Sequence, residues 1–160
     1  MKLSTKGRYA VMAMSDLAVQ ARLDAKRPVS LAEIGMREGI SLSYLEQLFA
    51  RLRRAGLVTS IRGAQGGYCL SAGAAEICIG DIIRAVDEPI EVTRCQLSQG
   101  GCQSQNSRCL THDLWAGLGR HIYGYLDAVT LEDVVSRNPF SAPENARAPN
   151  SRLHPAGEGA

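Results

Sequence analysis

The chain has 160 residues, of which 45% are apolar and 21% are charged. This composition is sufficient for a hydrophobic core and excludes a wholly disordered chain. The net charge is only +2, but it is unevenly spread. Residues 1–62 hold eleven of the eighteen basic residues and five of the sixteen acidic ones, a net charge of +6. A basic first half on an acidic second half favours binding to a polyanion such as DNA.

The sequence also indicates the cellular compartment in which the protein is expected. No apolar run approaches the roughly 18 residues that a membrane span needs, and the first residues lack the apolar core of a signal peptide. We therefore expect a cytoplasmic protein with no membrane contact. The chain has five cysteines, and in a reducing compartment the clustered ones are expected to be metal ligands or redox groups rather than disulfides.

Two helices are predicted at the start of the chain. Apolar residues at steps of three and four indicate a helix over residues 5–22. Ser30 and Glu33 have the spacing of a capping box, which predicts the start of a second helix. Gly39 is a natural residue for its end, because glycine adopts the left-handed conformation without strain.

A third helix and a hairpin complete the first half. Ser41 is the expected N-cap of a helix over residues 42–54. Two helices joined by a tight turn are typical of a helix-turn-helix, although ordinary helical hairpins share the pattern. Residues 58–62 and 68–70 read as two strands around a glycine-rich turn. A helix-turn-helix followed by a hairpin is a winged helix, and Arg62 at the wing tip is suited to a DNA minor groove.

The second half is predicted to contain a short helix over residues 79–87, a polar loop over 88–110 and a long helix over 112–129, with Thr111 as N-cap. A further short helix opens at Thr130. The long helix has one apolar stripe, which either packs on the chain's own core or forms a dimer interface. Its length and the usual pairing of helix-turn-helix proteins favour the dimer. The stripe comprises Leu114, Leu118, Ile122, Tyr125 and Val129.

Three cysteines and a histidine form a candidate ligand set, spaced C-x6-C-x6-C-x2-H: Cys95, Cys102, Cys109 and His112. Three thiolates and one imidazole suit a tetrahedral zinc site or an iron–sulfur cluster. The wide spacing favours the cluster over zinc. An enzymatic alternative has Cys109 as nucleophile and His112 as its base, supported only by their proximity. Cys69 and Cys78 are expected to be small buried apolar residues.

Several stretches together resemble the Rrf-type winged-helix transcription factors, and the Cys/His loop with the following Leu-Thr-His-Asp-Leu-Trp resembles the iron–sulfur cluster regulators among them. The resemblance covers about residues 1–137. The stretches are Lys-Gly-Arg-Tyr-Ala at 6–10, Gly-Ile-Ser-Leu-Ser-Tyr-Leu-Glu-Gln-Leu at 39–48, Arg-Gly at 62–63 and Gly-Gly-Tyr at 66–68.

The resemblance implies a homodimeric regulator, not an enzyme, that binds double-stranded promoter DNA as repressor and activator. It implies a 2Fe-2S cluster on the three cysteines and His112, control of cluster-assembly genes, and an iron–sulfur assembly scaffold as cluster donor. A nitric-oxide sensor or a zinc-stabilised regulator of the same fold are the alternatives.

The same resemblance implies that Ser43, Glu46 and Gln47 contact bases. Gln47 can pair with adenine and Glu46 with cytosine, and a wrong base opposite Glu46 is repelled. Basic residues are expected to contact phosphates, which position the protein without reading sequence. The full set of predicted DNA-binding residues is Lys6, Arg8, Ser41, Ser43, Tyr44, Glu46, Gln47, Arg51 and Arg62, with Lys2, Arg53 and Arg54 as further phosphate contacts.

The predicted fold is therefore mainly α with a small β-hairpin wing. Three segments are expected: a winged helix-turn-helix over residues 1–80, a cluster-binding loop with a dimerisation helix over 81–137, and a disordered tail over 138–160.

Overall fold

The computed structural model describes residues 5–25, 27–86 and 109–137. The predicted tail and all but the last two residues of the predicted polar loop lie outside these ranges. The predicted helix and strand bounds agree with the structure to within two residues. The elements are α1 (Thr5–Leu23), α2 (Leu31–Glu38), α3 (Leu42–Arg54), β1 (Val58–Ile61), β2 (Gly67–Leu70), α4 (Ile79–Ala85), α5 (His112–Ala128) and α6 (Leu131–Val135).

The start of α2 is a capping box, as predicted. The Ser30 hydroxyl accepts a hydrogen bond from the Glu33 backbone N–H, and the Glu33 carboxylate accepts one from the Ser30 backbone N–H at 2.9 Å. The Ser30 backbone N–H and then its hydroxyl hold the pKa of Glu33 below its ordinary value. The contribution of Glu33 to stability is therefore fully present at a pH above its pKa in the unfolded chain. It is lost as the pH falls through the pKa of Glu33 in the folded protein.

The turn between α2 and α3 depends on glycine. Gly39 has φ of +66°, a left-handed conformation that ends α2 and that glycine adopts without strain. Ser41 starts α3 with extended backbone angles, but its side chain makes no capping hydrogen bond. Ser41 therefore occupies the predicted N-cap position, but its side chain does not make the expected capping hydrogen bond.

The wing is an antiparallel hairpin in which Val58 pairs with Leu70 and Ile61 with Gly67. Val29 adds a bridge to Tyr68 through two backbone hydrogen bonds of 2.8 and 3.0 Å. A Cβ on Gly67 would come within 2.5 Å of the Val29 backbone, so this close approach requires glycine. The base of the wing is therefore fixed to the segment that precedes α2.

A single hydrophobic cluster joins α1, α3, the wing, α4 and α6. Phe49 is fully buried and meets the Tyr68 ring edge-on at 4.8 Å between centroids. Met14 and Leu17 of α1 and Ile82 and Ile83 of α4 belong to the same cluster. Since α1 contacts elements from both halves of the sequence, it is the central helix of the described fold.

One buried ion pair fixes α1 against α2. Asp16 is only 6% exposed at its side chain and accepts two hydrogen bonds from Arg37, from Nε at 2.8 Å and from Nη2 at 2.7 Å. The hydrogen bonds to Asp16 raise the pKa of Arg37 above its ordinary value. Such a bidentate pair fixes orientation as well as proximity.

Cys69 and Cys78 are half-buried, whereas the sequence pattern predicted that both are buried. Cys69 lies on β2 of the two-stranded wing, and Cys78 precedes α4, where it bridges to Thr130. Burial raises the pKa of the Cys78 thiol. Cys69 lines an open groove beside Leu17 and Ala18 of α1, so its side chain retains exposure.

The structure predicts different effects for the two serines that precede α2 and α3. Ser30→Ala removes a hydrogen-bonded cap and should lower the free energy of unfolding by about 1 kcal/mol. Ser41→Ala removes a side chain that makes no capping bond and should cost clearly less. Urea unfolding at neutral pH measures both, and equal losses would contradict the assignment of the cap to Ser30 alone.

Candidate DNA interface and metal-binding residues

Helix α3 separates a buried face from an exposed one. Leu45, Phe49 and Leu52 are fully buried, whereas Glu46 and Gln47 are exposed. Ser43, one turn before Gln47, is exposed as well. The predicted base-reading side chains therefore share the outward side of the second helix of the helix-turn-helix, where such a helix meets the major groove.

Two aromatic rings connect the starts of α1 and α3. Tyr9 and Tyr44 meet edge-on, with 5.7 Å between ring centroids. Tyr44 is half-buried, so part of its role is packing. Lys6 and Arg8 are exposed on the first turns of α1. The contact between Tyr9 and Tyr44 places these turns next to the start of α3, the second or recognition helix of the helix-turn-helix.

The arginines at the end of α3 differ in their surroundings. Arg51 is half-buried and donates a hydrogen bond to the Val86 carbonyl oxygen at 3.3 Å. Arg53 is exposed and reaches the Ser60 hydroxyl on β1, also at 3.3 Å. Arg54 is exposed in the last turn. Arg51 therefore connects helices inside the protein, and Arg53 and Arg54 are the better placed for phosphates.

The wing tip presents Arg62 to solvent. Arg62 directly follows β1, and Gly63 after it has φ of +122°. A Cβ on Gly66 would overlap the carbonyl oxygen of Ile61, so only glycine permits this tight turn. A thin glycine-rich tip lets one cationic side chain project beyond the backbone, which suits insertion into a narrow groove.

Two of the four predicted metal ligands lie in one turn at the start of α5. The His112 backbone N–H donates to the Cys109 carbonyl oxygen at 3.0 Å, which keeps the two residues adjacent. The Cys109 sulfur lies 3.7 Å from the Thr111 hydroxyl oxygen. Both ligands are half-buried and accessible to a metal. Thr111 makes no side-chain cap.

Cys95 and Cys102 lie outside the described residues. Within the described residues, no three His, Cys, Asp or Glu side chains are grouped so that they could hold a metal ion. A thiol beside an imidazole fits iron–sulfur or zinc ligation by its chemistry. The structure thus supplies two compatible donors at one end of α5.

Sequence patterns did not reveal a charged junction between α4 and α5. Arg84 donates to the Asp127 carboxylate at 2.6 Å and to Asp81 at 3.1 Å, and its guanidinium carbon lies 5.0 Å from the centre of the Tyr123 ring. Asp127 raises the pKa of Arg84 above its ordinary value. The spacing of four between Tyr123 and Asp127 indicates a shared helix face, but their partner is about forty residues away in sequence.

None of the helices in the described ranges is both long and apolar enough to cross a membrane.

Residues 3–137 match the Rrf2 family, described as an iron-dependent transcriptional regulator. The chain belongs to the Rrf2 family. This confirms the resemblance noted from the sequence, the winged-helix fold, and the expectation of a DNA-binding transcriptional regulator rather than an enzyme. The DNA-binding and ligand residues remain predictions.

Two curated relatives with high identity to the chain share one name. The chain is 48% identical over 158 residues to the HTH-type transcriptional regulator IscR of Photorhabdus laumondii, covering 95% of this chain and 93% of that protein. It is 54% identical over 138 residues to IscR of Vibrio vulnificus, covering 86% and 79%. Both relatives are aligned over most of their length.

Solved Rrf2-type structures share the fold. IscR of T. potens has a TM-score of 0.68 at 39% identity, with 94% of each chain covered. CymR, the global cysteine regulator of B. subtilis, has a TM-score of 0.70 at 38% identity, covering 86% of this chain and 98% of CymR. A similar backbone thus occurs in a regulator named for cysteine, so the signal of this chain must be argued from its predicted ligand residues.

We expect different defects from the exposed residues of α3. Gln47→Ala should relax base preference at one position of the site, because it removes a bidentate contact to a base. Arg54→Ala should weaken binding to all sequences evenly and reduce the salt slope by about one, because it removes a phosphate contact. Selection from a random duplex library, followed by titration at several salt concentrations, measures both. A changed base preference in the Arg54 variant would contradict this division.

Proposed function

We propose that this Rrf2 protein is a homodimeric repressor and activator that reports iron–sulfur supply to the promoters of cluster-assembly genes. The ligands of its cofactor are Cys95, Cys102, Cys109 and His112. The observation that carries the proposal is the placement of a thiol and an imidazole in one turn, at the start of a helix whose other end packs on a DNA-reading domain.

The donor set supports a 2Fe-2S cluster. Three cysteines and one histidine at wide intervals suit two metal centres better than one zinc ion, and the family is described as iron-dependent. When bound, a cluster supplies a redox-active centre that can be gained or lost with iron supply. Cys109 and His112 keep their relative position through the backbone hydrogen bond between them, so half of the donor set is preorganised.

The DNA-reading half acts through its own residues. Lys6, Arg8 and Arg54 contact phosphates and position the domain. Gln47 and Glu46 enter the major groove, and Arg62 enters the adjacent minor groove. Because the ligand is chromosomal DNA, we infer that the protein works in the cytoplasm. An iron–sulfur assembly scaffold is the proposed donor of the cluster.

Helix α5 supports the homodimer. Ile122, Tyr123 and Leu126 pack on the protein's own core, but Leu114, Leu118 and Tyr125 remain exposed on the adjacent side of the helix. The predicted apolar stripe is therefore divided: Ile122 and the buried Val129 belong to the core. The exposed remainder, with Gly117 and Gly124 at steps of three and four, forms a second face.

Glycine in this second face has a cost that only a close neighbour explains. A glycine inside a helix lowers stability by about 1 kcal/mol relative to alanine. A Cβ on Gly124 would meet no atom within 4 Å, and one on Gly117 would meet only the tip of Arg120 at 3.8 Å. A second copy of α5 crossing here in antiparallel orientation would use the space left by the missing Cβ atoms.

The ligand assignment predicts that anaerobically purified wild-type protein is red-brown and contains iron and sulfide. Cys109→Ala and His112→Ala should each abolish or strongly weaken the visible spectrum, because each removes one of four donors. Cys78→Ala and His121→Ala are the matched controls and should keep it. A colourless wild-type protein that contains zinc would instead establish the zinc-stabilised alternative.

The dimer assignment predicts that Leu118→Arg shifts the protein toward monomer. Leu118 is 40% exposed, and burying a guanidinium in an apolar helix contact is unfavourable. Val19→Arg is the matched control, because Val19 is an apolar residue of α1 that is 41% exposed and lies outside the proposed interface. Sedimentation equilibrium measures both, and an unchanged mass for the Leu118 variant would contradict the interface.

A further inference from the structure

The ligand pair and the recognition helix are far apart in the described structure. Cys109 and His112 lie at the start of α5, whereas Tyr123, Leu126 and Asp127 near its end contact the rest of the chain. From His112 to Asp127 the helix rises by about 22 Å. A change at the first end therefore has to reach DNA through the second end.

Arg84 holds two successive turns at that second end. Its guanidinium donates to Asp127 at 2.6 Å and lies over the Tyr123 ring at 5.0 Å. Asp127 is four residues after Tyr123, so both are on one side of α5. One side chain of α4 thus contacts α5 at two successive turns.

The backbone of α4 allows this close approach. A Cβ on Gly80 would overlap the Asp127 carboxylate oxygen, so a larger residue would displace Asp127. The chain just after α5 is also fastened to the start of α4, because the Ile79 backbone N–H donates to the Val129 carbonyl oxygen at 2.9 Å. Movement of α5 is therefore transmitted to α4.

The far end of α4 contacts the recognition helix. Arg51 of α3 donates to the carbonyl oxygen of Val86, the C-terminal cap of α4, at 3.3 Å. Arg51 lies one turn after Gln47 on α3. A shift of α4 by a fraction of an ångström therefore reaches a residue adjacent to the base-reading face.

We propose that Arg84 is a positioning residue that couples the ligand end of α5 to DNA affinity, through Asp127 and Tyr123 on one side and the Val86–Arg51 contact on the other. This inference rests on the proposed function, because it needs two ligation states. Arg84 belongs neither to the proposed cluster ligands nor to the base-reading residues. It acts by fixing the orientation of α4 relative to α5.

The experiment compares DNA affinity in two states of each variant. Full-length protein is reconstituted anaerobically with iron and sulfide, or left cluster-free, and titrated with a duplex that the loaded wild-type protein selects from a random library. We expect the two wild-type dissociation constants to differ by about five-fold or more. Arg84→Gln should bring their ratio close to one, and Arg84→Lys, which keeps the charge, should restore much of it.

Arg22→Gln is the matched control. Arg22 also pairs with an acidic residue across two helices, and the side-chain exposures of Arg22 and Glu132, 41% and 42%, match those of Arg84 and Asp127, 45% and 44%. This control pair joins α1 to α6 and does not touch α4. The Arg22 variant should keep the wild-type ratio, and both glutamine variants should keep the wild-type visible spectrum.

The outcomes distinguish the inference about Arg84 from the proposed function on which it rests. If Arg84→Gln keeps the wild-type ratio, or if Arg22→Gln lowers the ratio equally, the inference about Arg84 is wrong and the proposed function stands. If the reconstituted wild-type protein is colourless, or has one DNA affinity in both states, the proposed function is wrong and the coupling fails with it. Thermal unfolding of each variant confirms that the proteins compared are folded.

Discussion

The attachment of α5 by its last turns is the constraint on which the regulatory arrangement depends. Tyr123, Leu126 and Asp127 contact the body of the described protein, and the first turns present Leu114 and Leu118 to solvent. Within the described residues, a displacement of the first turns of α5 would change the orientation of the helix where its last turns contact the protein. The same exposed turns are available to a second copy, so dimer formation and signal transmission would use one helix with two faces.

Helix α3 also has two faces with different roles, within thirteen residues. Its buried side is apolar and complementary to α1 and the wing, whereas the outward side carries polar groups that have no packing role. Gln47 and Glu46 can therefore be changed between regulators without loss of the fold. CymR, a protein named for cysteine regulation, has a similar fold. What separates one signal from another is expected in the ligand residues near α5 rather than in the winged helix.

Local features of the sequence were sufficient to predict most of the described elements. The Ser30–Glu33 capping box and Gly39 depend on neighbours within four residues, so their pattern is visible without a structure. Other features depend on contacts between distant segments. The hydrogen bond that makes Arg51 a connection between helices is to Val86, 35 residues later. Which residues of the α5 stripe are buried depends on where α4 packs. Arg84 carries no sequence signal, because its significance comes from Asp127, 43 residues away.

The weakness of the α4–α5 junction is consistent with a regulatory role. Arg84 and Asp127 are both almost half exposed, and exposed ion pairs contribute little to stability because water and salt screen them. The Asp16–Arg37 pair is different, since Asp16 is buried and the pair is bidentate. A contact that must hold two helices permanently benefits from burial. A contact that must give way when the ligand end of α5 changes has to be close in free energy to its alternative, and a screened pair reinforced by one aromatic ring satisfies that requirement.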